Sequence, residues 1–248
     1  MELITIKRDK NYNHLTKLDQ MIYDAEFNIC DNCKGYENCQ QTNKGMMPVV
    51  IKHKYSIDNG YYLASRVCNK RPGIVYGSYE RAVKNSIPLY ETDNRKSILN
   101  ELFKCKGGFL YGNAGVGKST IMLNLANEFR LKGIDVYFEL ANNISVSLKE
   151  FNNNEAKMQL LQNVDVLFID DFAREVMTNW VILNIFNPII QHRIDNGLPI
   201  YISCNYSLAE LFKIIETKSD YVSADAIISR LKTIGTYNLK DKNYRLEK

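Results

Sequence analysis

The chain has 248 residues, 45% of them hydrophobic and 24% charged, with a net charge of +4. That is apolar material for one main core and a small appendage; it excludes a disordered chain, and the basic excess, confined to residues 1–96, permits contact with nucleic acid without demanding it. Glu2, Lys7, Arg8, Asp9 and Lys10 charge the first ten residues too heavily for a secretory signal, and no apolar run approaches the ~20 residues of a membrane span, so a cytoplasmic protein without a membrane partner is expected.

Residues 1–75 read as a small module organised by cysteines. Two residues, Asp31 and Asn32, separate Cys30 from Cys33; Cys39 and Cys68 follow at irregular spacing. In a reducing compartment, clustered cysteines point to metal before disulfide, and the close pair is half of a structural zinc site. The expected Zn²⁺ ligands are Cys30, Cys33, Cys39 and Cys68, with His53 as a substitute; the alternative is four partly buried thiols. Zinc would stabilise a module too small for a sufficient core of its own. Lys34, Lys44, Lys52 and Lys54 give this module a second possible use, as a DNA contact. Residues 76–97, with Pro88 among them, read as a linker, and Cys105 and Cys204 as core residues of the larger domain beyond it.

The segment from residue 98 onward carries the chemistry. Gly108-Phe109-Leu110-Tyr111 is a short apolar strand, and Gly112-Asn113-Ala114-Gly115-Val116-Gly117-Lys118-Ser119-Thr120 after it fits the full phosphate-loop pattern. Glycines let backbone N–H groups close around a β-phosphate, and a helix N-terminus favours the anion. Lys118 reaches the β- and γ-phosphates of ATP, and Ser119 ligates Mg²⁺. Ile121, Leu125 and Phe129 recur at helical spacing until Gly133 stops the helix. The competing reading, a glycine-rich turn before an ordinary helix, is disfavoured because the strand, loop and helix context that the motif requires is also present.

Residues 134–140 form a second strand, and a polar, helical stretch runs on to Gln162. Val164 to Asp171 is a buried strand ending in two carboxylates, as a Walker B segment does: Asp170 for the Mg²⁺ shell, Asp171 to orient and polarise the attacking water. Trp180, Val181, Leu183, Ile185 and Phe186 read as a helix packed on the sheet, which Pro188 should kink or break. Residues 198–205 give another strand ending in Asn205, placed to touch a γ-phosphate or its water. Strands that all end in polar groups make a ligand crevice along one edge of a parallel α/β sheet. Ser207 and Glu210 have capping-box spacing. Ser223 is expected to cap a helix over 224–231 with Arg230 near its exposed end, where an arginine is ordinarily a solvated partner of the helix dipole. Tyr111, Ile87 and Pro88 could line an adenine pocket or simply pack the core.

On these residues the chain resembles the DnaC/DnaI branch of the AAA+ ATPases, with IstB-type transposition ATPases as relatives. The resemblance rests on Ser86-Ile87-Pro88, the phosphate loop, Ile169-Asp170-Asp171-Phe172 and Ser229-Arg230-Leu231. Its most specific part is Thr178-Asn179-Trp180-Val181, Asn187-Pro188-Ile189-Ile190-Gln191-His192-Arg193 and Asn196-Gly197-Leu198-Pro199, closed by Ser203-Cys204-Asn205, which is similar to the DnaI side. The resemblance implies an AAA+ P-loop ATPase domain over residues 98–248. Asn205 would be its sensor 1, and Arg230 an arginine finger acting on ATP held by a neighbouring subunit, which makes hydrolysis depend on self-association. It further implies an N-terminal zinc module that contacts the replicative helicase hexamer, and loading of that helicase onto single-stranded DNA as part of a primosome. Two departures matter. Cys204 stands where the family more often has serine, and too few residues follow Asn205 for the usual helical lid, so that Arg245 is the sole late candidate for a sensor 2. The alternatives are an IstB-like transposition helper, a small-molecule P-loop kinase, for which no basic lid is evident, and an adaptor with a silent site, against which Lys118, Ser119, Asp170 and Asp171 all stand.

Overall fold

The computed structural model describes residues 8–41, 44–52, 61–68, 72–84, 93–104, 107–150, 154–173, 177–240 and 243. The chain divides into two compact units, Met1–Pro72 and Gly73–Lys248.

In the first unit, Thr16 caps helix α1 (Lys17–Asp31), its hydroxyl accepting the Asp19 N–H at 3.2 Å. Tyr23, Phe27 and Cys30 fall on one face of α1 and are buried. Tyr23 and Phe27 join Leu15 and Val50 in a small buried cluster among the described residues, with the Tyr23 ring 5.3 Å from both Phe27 and Tyr12. Val50 comes from an antiparallel pair, β1 (Met46–Lys52) and β2 (Tyr61–Val67), with Met46 opposite Val67 and Lys52 opposite Tyr61. The sequence hides this hairpin: residues 46–51 are an unbroken apolar run containing Pro48, with none of the alternation that marks a half-buried strand.

The second unit is a parallel sheet with helices on both faces. In chain order it comprises β3 (Val75–Gly77), α2 (Tyr79–Lys84), α3 (Asp93–Lys104), β4 (Gly107–Tyr111), α4 (Lys118–Leu131), β5 (Val136–Leu140), α5 (Ala141–Glu150), α6 (Asn154–Asn163) and β6 (Val166–Phe172). There follow α7 (Asn179–Val181), a π-helical turn (Ile182–Phe186), α8 (Asn187–Asp195), β7 (Ile200–Cys204), α9 (Leu208–Lys218), α10 (Tyr221–Thr233) and β8 (Thr236–Asn238). The six strands lie in the order β3-β5-β6-β7-β4-β8, every neighbouring pair parallel. Strands covered on both faces have no polar side to alternate, which is why β6 and β7 read as near-continuous apolar runs. On one face Leu102 of α3 and Ile121, Met122, Leu125 and Phe129 of α4 pack on Leu110, Phe138, Phe168 and Tyr201. The other face is covered by α5 to α10, with Ile144, Leu161, Ile185, Ile189, Leu211 and Ile227 against Ile169, Ile200 and Ile202.

Several local expectations change. The stretch read as a linker supplies β3, whose Val75 pairs with Val136 of β5, and α2. A sixth strand, β8, adds to β4; three residues, Thr236-Tyr237-Asn238, are too few to show a period. α10 begins at Tyr221, not Ala224, because Asp220 is the cap: its carboxylate accepts the Ser223 N–H at 2.9 Å, and Ser223 lies inside the first turn. Pro188 does not break its helix. It lacks the N–H that would bond Asn184, and the chain passes into it through the π-helical turn, which relaxes the i−4 clash. Trp180 is 48% exposed, with Lys149 Nζ 6.0 Å from its ring, while Val181, Ile185 and Phe186 are buried; the helix packs on the sheet by those three and turns the indole away. His53, Lys54, Ser86, Ile87, Pro88, Cys105 and Arg245 lie outside the described residues. Among the described residues, no helix follows β8 and none is long and apolar enough to cross a membrane.

Candidate functional site

At the carboxyl edge of the sheet, β4 runs directly into the phosphate loop. Gly112, Gly115 and Gly117 all have positive φ (147°, 83° and 94°), and Gly117 is the left-handed N-cap from which α4 starts at Lys118. Both Gly112 and Gly115 are closely approached, Gly112 by backbone that cannot yield and Gly115 by a side-chain tip that can. A Cβ on Gly112 would collide with the Leu239 carbonyl oxygen, and one on Gly115 with Asn243 Oδ1. The chain after β8 therefore packs against the loop, tied at its foot by the Leu239 N–H donated to the Tyr111 carbonyl at 2.8 Å.

Lys118 is 5% exposed, and its ammonium donates to the carbonyls of Gly112 (2.7 Å) and Asn113 (2.9 Å) and to Asn205 Oδ1 (2.8 Å). One charge thus joins the loop after β4 to the residue following β7. Ser119 Oγ donates to Asp170 Oδ1 at 3.0 Å, so the two oxygens expected to face Mg²⁺ are already neighbours. The arrangement brings Lys118, Ser119, Asp170 and Asn205 into one cluster, with Asp171 next in chain.

Asp170 is buried, and burial pushes its carboxyl above the usual range; hydrogen bonds from Ser203 and Ser119 oppose the shift, and the Asp171 charge adds to it. Asp171 has φ 54°, the left-handed region that disfavours a β-carbon, and the β6–β7 register slips there. Beside it, Cys204 Sγ donates to the Phe172 carbonyl at 3.1 Å and accepts the Tyr206 N–H at 3.4 Å; burial raises its thiol to about 11. The cysteine is a buried structural group that leaves Asn205 in contact with Lys118.

Two further polar residues belong to this edge. Ser203 on β7 is fully buried and bonds Asp170; in the sequence it stands out only as part of Ser203-Cys204-Asn205, with no role of its own. Glu139 near the end of β5 is 8% exposed, and its Oε1 accepts from Ser78 Oγ (2.7 Å), the Leu140 N–H (2.9 Å) and Asn143 Nδ2 (2.8 Å). A lone carboxylate closing an apolar strand was the visible hint. Arg230, half-buried in the last turn of α10, donates to the Ala226 carbonyl of its own helix at 3.1 Å.

In the first unit, Cys30, Cys33, Cys39 and Cys68 all line one pocket, with Gln41 and Met46 among the other walls. Gly35, at φ 99°, turns so that its N–H donates to Cys33 Sγ at 3.4 Å, and Gln41 Nε2 donates to Cys30 Sγ at 3.0 Å. Burial pushes the Cys30 thiol up; the Gln41 bond opposes this, and the neighbouring Cys68, Cys33 and Cys39 add to it. The expected zinc geometry is not found: among the described residues no three His, Cys, Asp or Glu side chains stand close enough to hold one ion. Lys44, one of the basic residues of this unit, lies 4.8 Å from the Tyr36 ring centroid and donates to the Glu37 carbonyl at 3.4 Å.

No protein-family model matches the chain. It is 29% identical over 206 residues to the replicative helicase loader DnaI of Bacillus subtilis (strain 168), a match covering 73% of this chain and 66% of that protein, just under two thirds of its length. Among solved structures it superposes on a crystal structure of DnaI with a TM-score of 0.55, at 23% identity over 68% of this chain and 96% of that one. It also superposes on the DnaC helicase loader with a TM-score of 0.50, at 20% identity over 65% of this chain and 98% of that one. The structural matches speak for the fold, a P-loop α/β unit folded as in DnaI and DnaC, and the sequence match makes the chain similar to DnaI.

Proposed function

We propose that the chain is an ATP-dependent loader of a replicative DNA helicase, its second unit being the ATPase and its first the part that contacts the helicase. The observation that carries this reading is the Lys118, Ser119, Asp170 and Asn205 cluster, set on a fold and a sequence similar to those of DnaI. Lys118 is held by neutral oxygens, and phosphate oxygens would replace them with stronger, charge-assisted bonds. The N–H groups of the loop and of the first turn of α4 point to the same anion. Ser119 and Asp170 would hold Mg²⁺, which supplies neutralisation of charge developing on the phosphates. Asp171 would polarise water, Asn205 would position it, and Arg230 of one copy would complete the site of the next.

Zinc belongs to the same proposal. Four thiols on one pocket and an N–H···S bond at the Cys30–Cys33 turn suit a thiolate site, and a unit of this size is ordinarily in need of a staple. Bound zinc would draw Cys30, Cys33, Cys39 and Cys68 together, and elemental analysis of protein purified without added metal should find about one ion per chain. Folded protein without zinc would refute that part.

The loader reading is tested by mixing the purified chain with a hexameric replicative helicase and ATP and following co-migration by size exclusion. A stable complex is expected. Absence of any complex, together with ATP-dependent phosphorylation of a small molecule, would favour a P-loop kinase; ATP-dependent binding to duplex DNA alone would favour a transposition helper.

A further inference from the structure

The pairing of β6 with β7 contains a bulge whose members are all polar. Leu167, Phe168 and Ile169 pair in step with Ile200, Tyr201 and Ile202, and pairing resumes at Phe172 with Cys204. Two residues of β6, Asp170 and Asp171, therefore face one residue of β7, Ser203. A bulge leaves a backbone group out of the ladder and resets the alternation of side chains, which is how strands re-aim residues beside active sites. Here the odd group is the Asp171 N–H, and it donates to Ser203 Oγ at 2.9 Å. The same hydroxyl donates its own hydrogen to Asp170 Oδ1, the oxygen that also accepts from Ser119.

One buried hydroxyl thus serves both carboxylate residues at once. The site needs a group that donates and accepts from a single atom, within the space of one strand position. Among small side chains only a hydroxyl does both well. Alanine would do neither, taking away the acceptor of the Asp171 N–H at a left-handed residue and one of the two hydroxyls that hold the Asp170 carboxylate. Cys204 clasps the far side of the bulge through Phe172, so β7 grips β6 on both sides of the pair while carrying Asn205 at its end.

We propose that Ser203 is a positioning residue for the ATPase reaction: it sets the Asp170 carboxylate beside Ser119 and holds Asp171 in its left-handed turn, making the bulge and the Asn205 strand move as one body. The inference rests on the ATPase reading of this site. It concerns the partner of a metal ligand, and loss of such partners costs metal affinity or activity by roughly 10–100-fold.

The experiment measures binding of a fluorescent ATP analogue with MgCl₂ or with EDTA, and the hydrolysis rate, for wild type and for Ser203→Ala and Ser203→Thr, at a temperature where circular dichroism shows each folded. Ser203→Ala should bind the metal-free nucleotide within about twofold of wild type, lose roughly tenfold or more of the affinity gained from Mg²⁺, and lose kcat to a similar degree. Ser203→Thr, which keeps the hydroxyl, should recover most of both. If Ser203→Ala does not fold, Ser203→Val against Ser203→Thr asks the same question with nearly matched shapes. A Mg²⁺ gain and kcat within about twofold of wild type in Ser203→Ala, or equal behaviour of Val and Thr, overturns the proposal and leaves the ATPase reading standing. Failure of wild type to bind nucleotide at all overturns both.

Discussion

Lys118 is the residue on which the nucleotide reading turns. Neutral oxygens from two different strand ends accept from its ammonium, so removing that group should cost phosphate binding without unfolding the sheet. Lys118→Ala is expected to weaken ATP binding at least tenfold by equilibrium titration, whereas Asp171→Asn should bind normally and hydrolyse about 10²–10³-fold more slowly. Unchanged turnover in Asp171→Asn would remove Asp171 from the reaction. The loop and the paired aspartates were legible in the sequence because their chemistry demands fixed residue types at fixed spacing. Ser203 was not, since a serine in an apolar strand reads as filler until the bulge opposite it is known. Trp180 misled for the opposite reason: an indole beside Val181, Ile185 and Phe186 promised burial, yet the turn of the helix sets it outward.

Among the elements, the carboxyl edge of the sheet holds the proposed site, and Arg193 ties elements together at the opposite edge. Arg193 of α8 is fully buried, and its guanidinium donates to the carbonyls of Leu161 (3.0 Å), Gln162 (3.2 Å), Asp165 (3.2 Å) and Pro199 (2.8 Å). It thereby closes the last turn of α6 onto the entries of β6 and β7. Burial lowers its pKa to about 10, with Asp165 opposing the shift, so the group stays charged at neutral pH. Arg193→Lys keeps the charge and loses the planar fork that reaches four oxygens, and should cost about 2–4 kcal/mol in urea denaturation. Nucleotide affinity, measured below the unfolding transition, should stay near wild type. Elements with a strong period or an apolar run, such as α4, β6 and β7, were legible from the sequence. Short edge strands were not: three residues of β3 or β8 carry no period and owe their strand conformation to the longer strand beside them.

For the whole molecule, a role for Arg230 in trans requires that copies combine. Arg230 sits in the last turn of α10 with its guanidinium bonded back to its own helix, so a trans role predicts a complementation pattern. Arg230→Ala should fold and bind ATP like wild type yet lose turnover, by about 10³-fold or more if it is a finger. Mixed with Lys118→Ala protein, it should regain part of the activity, because some interfaces then join an intact loop to an intact finger. No recovery in demonstrably mixed assemblies would return Arg230 to the surface. Such an assembly could not be read from spacing alone, because nothing in one sequence encodes where a neighbour sits.

The strand order carries a consequence for the life of the nascent chain. β4, which leads into the phosphate loop, is flanked by β7 and β8, both encoded well after it. Until residues 200–204 are made the strand under the loop has no partner on either side, and until residue 239 is made the backbone that the Leu239 N–H later ties down is untethered. Synthesis proceeds from the N-terminus, so a module at the start of the chain can fold long before this sheet closes. On the ATPase reading, ribosome-stalled chains ending before β8 should carry a complete loop motif while failing to retain ATP.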